Sequence, residues 1–192
     1  MYKRQLLWRT PVGEHNGHDD DSLLALSHQL RIKFPYTVLP GSLGGVLSNM
    51  AVAGGSVYVA IIDLPITFTS SKVVDGNKAA GPETGEVEAL SLATGKVEWD
   101  TKVPSMPLGG ATVSNDLVFT TLYNGVLIAF NTDTGAIVFR RQLPTSTNAP
   151  ITVFANTVLV PAGGPQTSAS AGGRNSQLVA YTVCLLYTSR CV

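Results

Sequence analysis

Side chains able to carry chemistry are concentrated at residues 14–22, which read EHNGHDDDS. His15 and His18 stand among acids, and a histidine beside a carboxylate can act as a general base near neutral pH. The segment also contains three consecutive acids: Asp19, Asp20 and Asp21. Carboxylate oxygens are the ligands that Ca²⁺ prefers, whereas a zinc site needs three or four ligands, which two histidines do not supply. The pattern therefore predicts a calcium or proton-transfer site.

The same segment also fits a solvated loop. In this alternative the acids at 19–21 cap a helical turn that begins at LLAL, residues 23–26, because carboxylates favour helix N-termini. Almost no helix is expected in the chain outside residues 19–30. Which interpretation holds depends on where the fold places the segment.

The two ends of the sequence differ from the rest. Residues 1–5, MYKRQ, and residues 184–192, CLLYTSRCV, back-translate to strings that are reverse complements of each other over their shared length. These strings correspond to a transposon-type sequencing adapter, so we interpret both ends as read-through artefact and exclude them from the fold. The remaining residues, 6–183, form one predicted domain, an internal fragment of a longer protein.

The composition of that domain argues against several classes of protein. Without the ends both cysteines, Cys184 and Cys191, are lost, so no disulfide is predicted. Ten of the 13 basic residues remain against 13 acidic ones, and a net charge of about −3 argues against a nucleic-acid-binding surface. The longest apolar runs, such as VYVAII at 57–62, are far too short to cross a bilayer, so no membrane span is predicted in the fragment.

A repeat with a period of 40 residues organises the domain. GEVEALSLATGKVEWDTKVP at 85–104 aligns without a gap with GVLIAFNTDTGAIVFRRQLP at 125–144. Each copy has a β-rich run, a tight turn with Gly95 or Gly135, and a second run that contains an aromatic residue, which is typical of a hairpin. Two further strand-like runs follow each copy.

Four short strands in each period of about 40 residues are the signature of a β-propeller blade. The gapless repeat argues against the alternative, a β-sandwich. The predicted fold class is all-β, a β-propeller fragment of about three to four blades, each an antiparallel four-stranded sheet, from a larger propeller expected to have eight blades. Residues 6–13 are predicted as the outer strand of a preceding blade and residues 44–62 as inner strands. The other predicted strands are 85–91, 96–102, 111–114, 117–122, 126–130, 137–142, 151–154, 157–161 and 177–183.

Three long connections are predicted to leave the same face of the propeller. They span residues 13–43, 63–84 and 162–176. In an up-and-down blade, the connections from fourth to first strand and from second to third strand emerge together, whereas the opposite turns in this chain are short. Functional residues favour loops held by a rigid scaffold, so this face, which includes EHNGHDDDS, is the predicted functional face.

The repeat resembles the tryptophan-docking repeat of the pyrroloquinoline quinone (PQQ) dehydrogenases and their relatives. That repeat usually reads Ala-x-Asp-x-x-Thr-Gly-Lys-x-x-Trp, and this chain has ALSLATGKVEW at 89–99, with Ser91 in place of the aspartate. The matching residues are Ala89, Thr94, Gly95, Lys96 and Trp99. The second copy, at 129–139, has Phe139 in place of tryptophan. The repeated position of these aromatic residues predicts that they pack between blades.

A second stretch, LPGSLGGVLSNMAVAGGSVYVA at 39–60, resembles a segment of the quinoprotein alcohol dehydrogenases that reads Cys-Pro-Gly-x-x-Gly-Gly-x-x-Trp-Asn-Pro. The matching residues are Pro40, Gly41, Gly44, Gly45 and Asn49. The departures are Leu39 for cysteine, Ser48 for tryptophan and Met50 for proline. In that family the asparagine lies by the quinone, so the resemblance implies that Asn49 binds the cofactor. Further candidates for cofactor binding are Gly44, Gly45 and Asn16.

The resemblance implies an extracytoplasmic, periplasmic quinoprotein oxidoreductase that takes electrons from an alcohol or sugar and passes them to an acceptor. PQQ would carry the redox chemistry, a bound Ca²⁺ would polarise it, and His15 or His18 would serve as catalytic base. The alternative is a non-catalytic propeller, like the scaffold that assists outer-membrane protein assembly, which holds protein partners on the same face. For the enzyme, the Asn49 side chain is expected to approach the same axial cavity as at least one of three loop residues: His15, Asn16 and His18.

Overall fold

The computed structural model describes residues 5–18, 33–69, 83–163 and 176–182. Within these ranges the secondary structure consists of β-strands, without a helix. The strands are β1 (Tyr36–Val38), β2 (Ala51–Ala53), β3 (Ser56–Asp63), β4 (Ile66–Phe68), β5 (Thr84–Ser91), β6 (Val97–Val103), β7 (Thr112–Ser114), β8 (Leu117–Thr121), β9 (Val126–Asn131), β10 (Ile137–Gln142), β11 (Thr152–Phe154), β12 (Thr157–Ala162) and β13 (Gln177–Thr182).

Several predictions concern residues outside the described ranges. They are the helix within 19–30, the calcium-binding acids at 19–21, and the artefactual ends at 1–5 and 184–192, of which only Gln5 is described. These stay predictions. Among the described residues there is no helix with the length and apolar character needed to cross a membrane.

Three antiparallel sheets repeat along the chain. The first has the strand order β2-β3-β5-β6, the second β7-β8-β9-β10 and the third β11-β12-β13. Ala89 pairs with Trp99 in the first sheet, and Ala129 pairs with Phe139 in the second, 40 residues later. The register therefore repeats with the sequence. The predicted all-β propeller fragment is confirmed, and the strands predicted between residues 85 and 162 agree with the observed bounds to within one residue.

Apolar side chains from neighbouring sheets pack face to face. Alternation along each strand sends side chains to both faces, and the β-branched residues suit a pleated surface. Between the first and second sheets lie Val87, Trp99, Val118, Ile128 and Phe130. Between the second and third sheets lie Phe119, Leu127, Ile151, Val158 and Val160. Complete burial of each large apolar side chain contributes about 1.5–3 kcal/mol, so these two layers hold the sheets as a stack.

A tryptophan also joins the first sheet to the second. Trp99, in the outer strand β6, donates a hydrogen bond of 2.7 Å from Nε1 to the carbonyl oxygen of Thr132. Its indole lies against Gly135, where an added Cβ would come within 2.6 Å of the ring. The outer strand of one sheet is thereby fixed to the hairpin turn of the next.

Residues 6–13 make the contacts of an outer strand without belonging to a sheet. Trp8 donates from Nε1 to the carbonyl oxygen of Leu92 at 2.9 Å, and its ring lies against Gly95 just as that of Trp99 lies against its own glycine. The prediction of a strand over these residues is wrong, because among the described residues no strand pairs with their backbone. The contact of Trp8 still forms, because it needs only the turn of the first sheet, which contains Leu92 and Gly95.

The innermost strands of the sheets converge on one side of the molecule. β2 contacts β7, and β7 contacts β11. In a propeller the first strand of each blade is the innermost, so this side is the axial side.

Two long connections meet in a small sheet that the sequence did not predict. β1, in the connection before the first sheet, pairs with β4, in the connection between β3 and β5. Tyr36 lies opposite Phe68, and Val38 lies opposite Ile66. Because the two connections pair with each other, they leave the first sheet on the same face, as predicted.

Candidate functional site

The segment between β1 and β2 packs closely against the first sheet. Gly41 is buried against Ile66, and an added Cβ would clash with that side chain. A Cβ at Gly44 would lie 2.6 Å from the Cβ of Pro40, and Gly45 adopts a φ of +82°, which favours glycine. Packing and backbone conformation thus account for the glycines. The predicted role of Gly44 and Gly45 in cofactor binding stays a prediction.

Asn49 ends this segment at the junction of two sheets. Its backbone oxygen accepts a hydrogen bond of 2.8 Å from the amide of Ala111, and an added Cβ at Gly110 would come within 2.7 Å of the same oxygen. Asn49 precedes β2 and Ala111 precedes β7, so the contact joins the beginnings of two inner strands. The Asn49 side chain is exposed. Asn49 therefore lies exposed at the start of an inner strand, just after the first long connection.

Asn16 is bound to the connection that contains β1. Its Oδ1 accepts a hydrogen bond of 3.1 Å from the amide of Leu39, and its Nδ2 donates to the carbonyl oxygen of Thr37 at 2.8 Å. Its backbone amide donates to the carbonyl oxygen of Leu39 at 2.9 Å. Both ends of the side-chain amide are thus engaged in fixing the loop against β1. The predicted contact of Asn16 with a cofactor stays a prediction.

The two histidines of the loop lie in different surroundings. His15 is exposed. The ring of His18 lies 4.9 Å from that of Tyr36, measured between centroids, and is tilted by 50°. The structure thus brings Asn16 and His18 to β1, whereas Asn49 is attached to the second sheet. The predicted axial cavity shared by these residues stays a prediction.

Three acids form a group on the first sheet that the sequence did not predict. Glu86 and Glu88 lie in β5, and Asp100 lies in β6, directly across the sheet from Glu88. One carboxylate oxygen of each residue lies within 4.8 Å of the others. Glu86 is 1% exposed and Glu88 is 5% exposed, whereas Asp100 is exposed. Such a set of oxygen donors can hold a metal ion.

The two glutamates are buried because the beginning of the first connection crosses them. Gly13 donates from its backbone amide to Oε1 of Glu88 at 2.8 Å. A signal for the group exists in the repeat: 40 residues after the two glutamates stand Val126 and Ile128, the apolar residues usual at such positions. Acids at Glu86 and Glu88 are therefore a departure from the pattern of the blade.

Among the described residues, Lys102 is the cation that faces these carboxylates. Its Nζ contacts Glu86 and lies 3.1 Å from Oε1 of Glu14. Burial lowers the pKa of Lys102, but its hydrogen bonds with these two glutamates outweigh burial and leave that pKa above its ordinary value. Burial raises the pKa of Glu86 to about 7, against the opposing hydrogen bond from Lys102. Burial also raises the pKa of Glu88 and of Asp63, so the charged forms of Glu86, Glu88 and Asp63 are disfavoured.

A polar cavity of about 330 Å³ lies on the opposite face, among the short turns. Its lining includes Ser56, Tyr58, Glu98, Asn115 and Asp133. Ser56 donates from Oγ to Oε2 of Glu98 at 2.6 Å. Burial raises the pKa of Tyr58, and the charges of Glu98 and Asp133 act in the same direction. This cavity is separate from the long connections and from Asn49.

A protein-family profile described as "Outer membrane protein assembly factor BamB" matches residues 83–182. No curated protein sequence matches the chain. Among solved structures, the chain is similar to the quinohemoprotein alcohol dehydrogenase ADHIIG from Pseudomonas putida HK5, with a TM-score of 0.55 and 17% identity over 70% of this chain and 24% of that one. It is also similar to a europium-containing methanol dehydrogenase, with a TM-score of 0.52 and 17% identity over 77% and 24% of the two chains.

A third similar structure is the quinohemoprotein alcohol dehydrogenase from Comamonas testosteroni, with a TM-score of 0.50 and 18% identity over 86% of this chain and 23% of that one. At these identities the likeness shows a shared fold. The chain spans about a quarter of the length of each of these three proteins.

Proposed function

The chain belongs to the PQQ-binding-like β-propeller family, and from this premise we propose that it forms a sector of a quinoprotein oxidoreductase that acts on an alcohol or sugar. The observation that carries the proposal is that Asn49 is exposed and lies at the junction of the inner strands β2 and β7, just after the first long connection. The resemblance of segment 39–49 to the quinoprotein alcohol dehydrogenases supports the substrate class.

The described residues near the axis fit part of a quinone site. The exposed amide of Asn49 can both donate and accept hydrogen bonds, which suits a cofactor that carries carbonyl and carboxylate oxygens. When bound, PQQ accepts the electrons that the alcohol or sugar gives up. The amide of Asn16 is engaged with β1, so we assign it the task of holding the loop in position.

The group formed by Glu86, Glu88 and Asp100 lies on different strands from the one that Asn49 precedes. Within the described ranges, the group close enough to share a cation is on β5 and β6, not on the inner strands. A Ca²⁺ beside the quinone would therefore take its ligands from the acids at 19–21 or from other blades of the whole protein. We assign exposed His15 the role of accepting the proton of the substrate hydroxyl, with His18, beside Tyr36, as the alternative base.

Reconstitution of the full-length protein with PQQ and Ca²⁺, followed by dye-linked oxidation of alcohols and sugars, tests this function. Asn49→Ala should weaken quinone binding roughly tenfold, the effect of losing about one hydrogen bond. Asn156→Ala, at the exposed turn between β11 and β12 on the opposite face, is the matched control and should bind the quinone normally. His15→Ala should lower turnover without changing quinone affinity. A full-length protein that binds no quinone contradicts the enzyme function.

A scaffold that binds protein partners is the second candidate, and the surroundings of Asn49 favour it. Leu43, Leu47 and Met50 are 50%, 57% and 58% exposed, so the segment before β2 presents apolar side chains at the surface. The family profile is described by an outer-membrane assembly factor, which supports this alternative. For either function we propose an extracytoplasmic location. A photo-crosslinking residue at Leu47 in the full-length protein should capture a protein partner if the chain is a scaffold, and should capture none if the face holds a quinone.

A further inference from the structure

We propose that Glu86, Glu88 and Asp100 bind a divalent cation, Ca²⁺ by the chemistry of the donors, where residues 12–14 cross the first sheet. The site is on the third and fourth strands of the sheet, so it is distinct from any quinone site at the inner strands. The inference does not depend on the proposed oxidoreductase function.

The geometry of the three carboxylates suits one ion. Cross-strand pairing sets Glu88 opposite Asp100, and Glu86, two residues earlier in β5, projects from the same face. One oxygen from each residue lies within 4.8 Å of the others. Two oxygens that bind the same Ca²⁺ at its usual distance of about 2.4 Å are separated by about 4.8 Å at most, so the three can bind together with small side-chain movements.

The surroundings of Glu88 give a second, independent reason to expect a bound cation. It is 5% exposed, its Oε1 accepts the hydrogen bond from Gly13, and its Oε2 is buried without a hydrogen-bond partner among the described residues. A carboxylate oxygen buried without a partner is unfavourable, whereas a cation satisfies it directly. The hydrogen bond from Gly13 also orients the carboxylate, as supporting contacts around metal ligands commonly do.

The excess of carboxylates around the group also favours a bound cation. Among the described residues, the three carboxylates of the site and that of Asp63 have one ammonium group nearby, that of Lys102, which also contacts Glu14. Lys102 is half exposed and has a flexible stem, so it can withdraw from Glu86 towards Glu14 when a cation arrives. Lys102 is therefore a competitor for the ion and not a ligand.

Equilibrium dialysis of the full chain against CaCl2 alone, with calcium counted per chain, tests the proposal. One calcium per chain that depends on Glu88 and Asp100 is expected, with a Kd of about 10⁻⁴–10⁻³ M, as in extracellular calcium modules. Glu88→Gln should lower the affinity at least about tenfold, because it removes the charge of the buried ligand. Lys102→Met should raise the affinity, because it removes the competing cation.

Two further variants separate loss of the site from loss of the fold. Asp100→Asn changes an exposed ligand, so it should weaken calcium binding while the circular dichroism spectrum stays that of the unmodified chain. Glu98→Gln changes an exposed acid on the same strand that bonds to Ser56, and should leave calcium binding unaltered. Absence of saturable binding, or equal binding by the unmodified chain and the Glu88→Gln and Asp100→Asn variants, overturns the proposal. The Asn49→Ala variant should bind calcium here with full affinity.

Discussion

The indole of Trp99 covers Gly135, leaving so little space that an added Cβ would approach the ring to 2.6 Å. Gly135 also has a φ of +68°. Gly54, by contrast, has a φ of +59° with open space where a Cβ would be. Comparison of the two positions can therefore separate the cost of backbone conformation from the cost of disturbing the contact between sheets.

Gly54→Ala should lower the free energy of unfolding by about 1–2 kcal/mol, the cost of a left-handed backbone for a residue with a Cβ. Gly135→Ala should lower it by about 1–3 kcal/mol more, because the methyl group displaces the indole of Trp99. Urea unfolding followed by tryptophan fluorescence measures both. Equal losses in the two variants would mean that the tryptophan contact adds nothing to stability.

Phe130 tests the packing between the first and second sheets. It is completely buried, whereas Phe154, in β11, is 77% exposed. Phe130→Ala should lower the free energy of unfolding by about 3–5 kcal/mol, since it removes a large buried ring and leaves a cavity. Phe154→Ala should change it by about 0.5 kcal/mol or less. Similar losses measured by urea unfolding would show that the sheets do not stack face to face.

Asn16 should prove to be a positioning residue of the first connection. Asn16→Ala removes the acceptor for the Leu39 amide and the donor to Thr37, whereas Asn16→Asp keeps the acceptor. Each lost hydrogen bond should lower the free energy of unfolding by about 0.5–1.5 kcal/mol. Amide hydrogen exchange at Leu39 should accelerate in the alanine variant and stay slow in the aspartate variant. Fast exchange in both variants would show that the side-chain contact is not what protects this amide.

Tyr58 should make the stability of the chain fall at high pH. Burial raises its pKa above the ordinary value of about 10, so the folded state keeps its proton at pH values where the unfolded chain has lost it. The stabilising contribution is complete below about pH 10 and declines as the pH rises through the pKa of the folded state. Urea midpoints measured from about pH 9 to 11 should decline more steeply for the unmodified chain than for Tyr58→Phe. Parallel declines would exclude this contribution.

The repeated sheets were predictable because the physical cause of each strand recurs in the sequence. Gly95 and Gly135 mark the same turn, and the β-rich runs on either side keep the same spacing from it. Trp99 and Phe139 accordingly occupy the same register position in their sheets. Local turn chemistry and side-chain alternation were sufficient for this part of the fold.

The site could be predicted less well because its contacts join distant segments. Alternation places Glu86 and Glu88 on one face of a strand, but their burial depends on Gly13, which lies 75 residues before Glu88. The pairing of Tyr36 with Phe68 likewise occurs between two connections that have no repeat and no turn signal. The sequence named the polar residues of the loop, yet only the fold assigns Asn16 to β1.

The hydrogen bond between Trp8 and Leu92 can form only late in the synthesis of the first sheet. The two residues are 84 positions apart, so Trp8 can make this hydrogen bond only after β5 has been synthesised and the turn that follows it has formed. At a usual elongation rate of about 5–20 residues per second, Leu92 is synthesised about 4–17 s after Trp8. The contact that joins Trp8 to the first sheet is therefore a late step in the formation of that sheet.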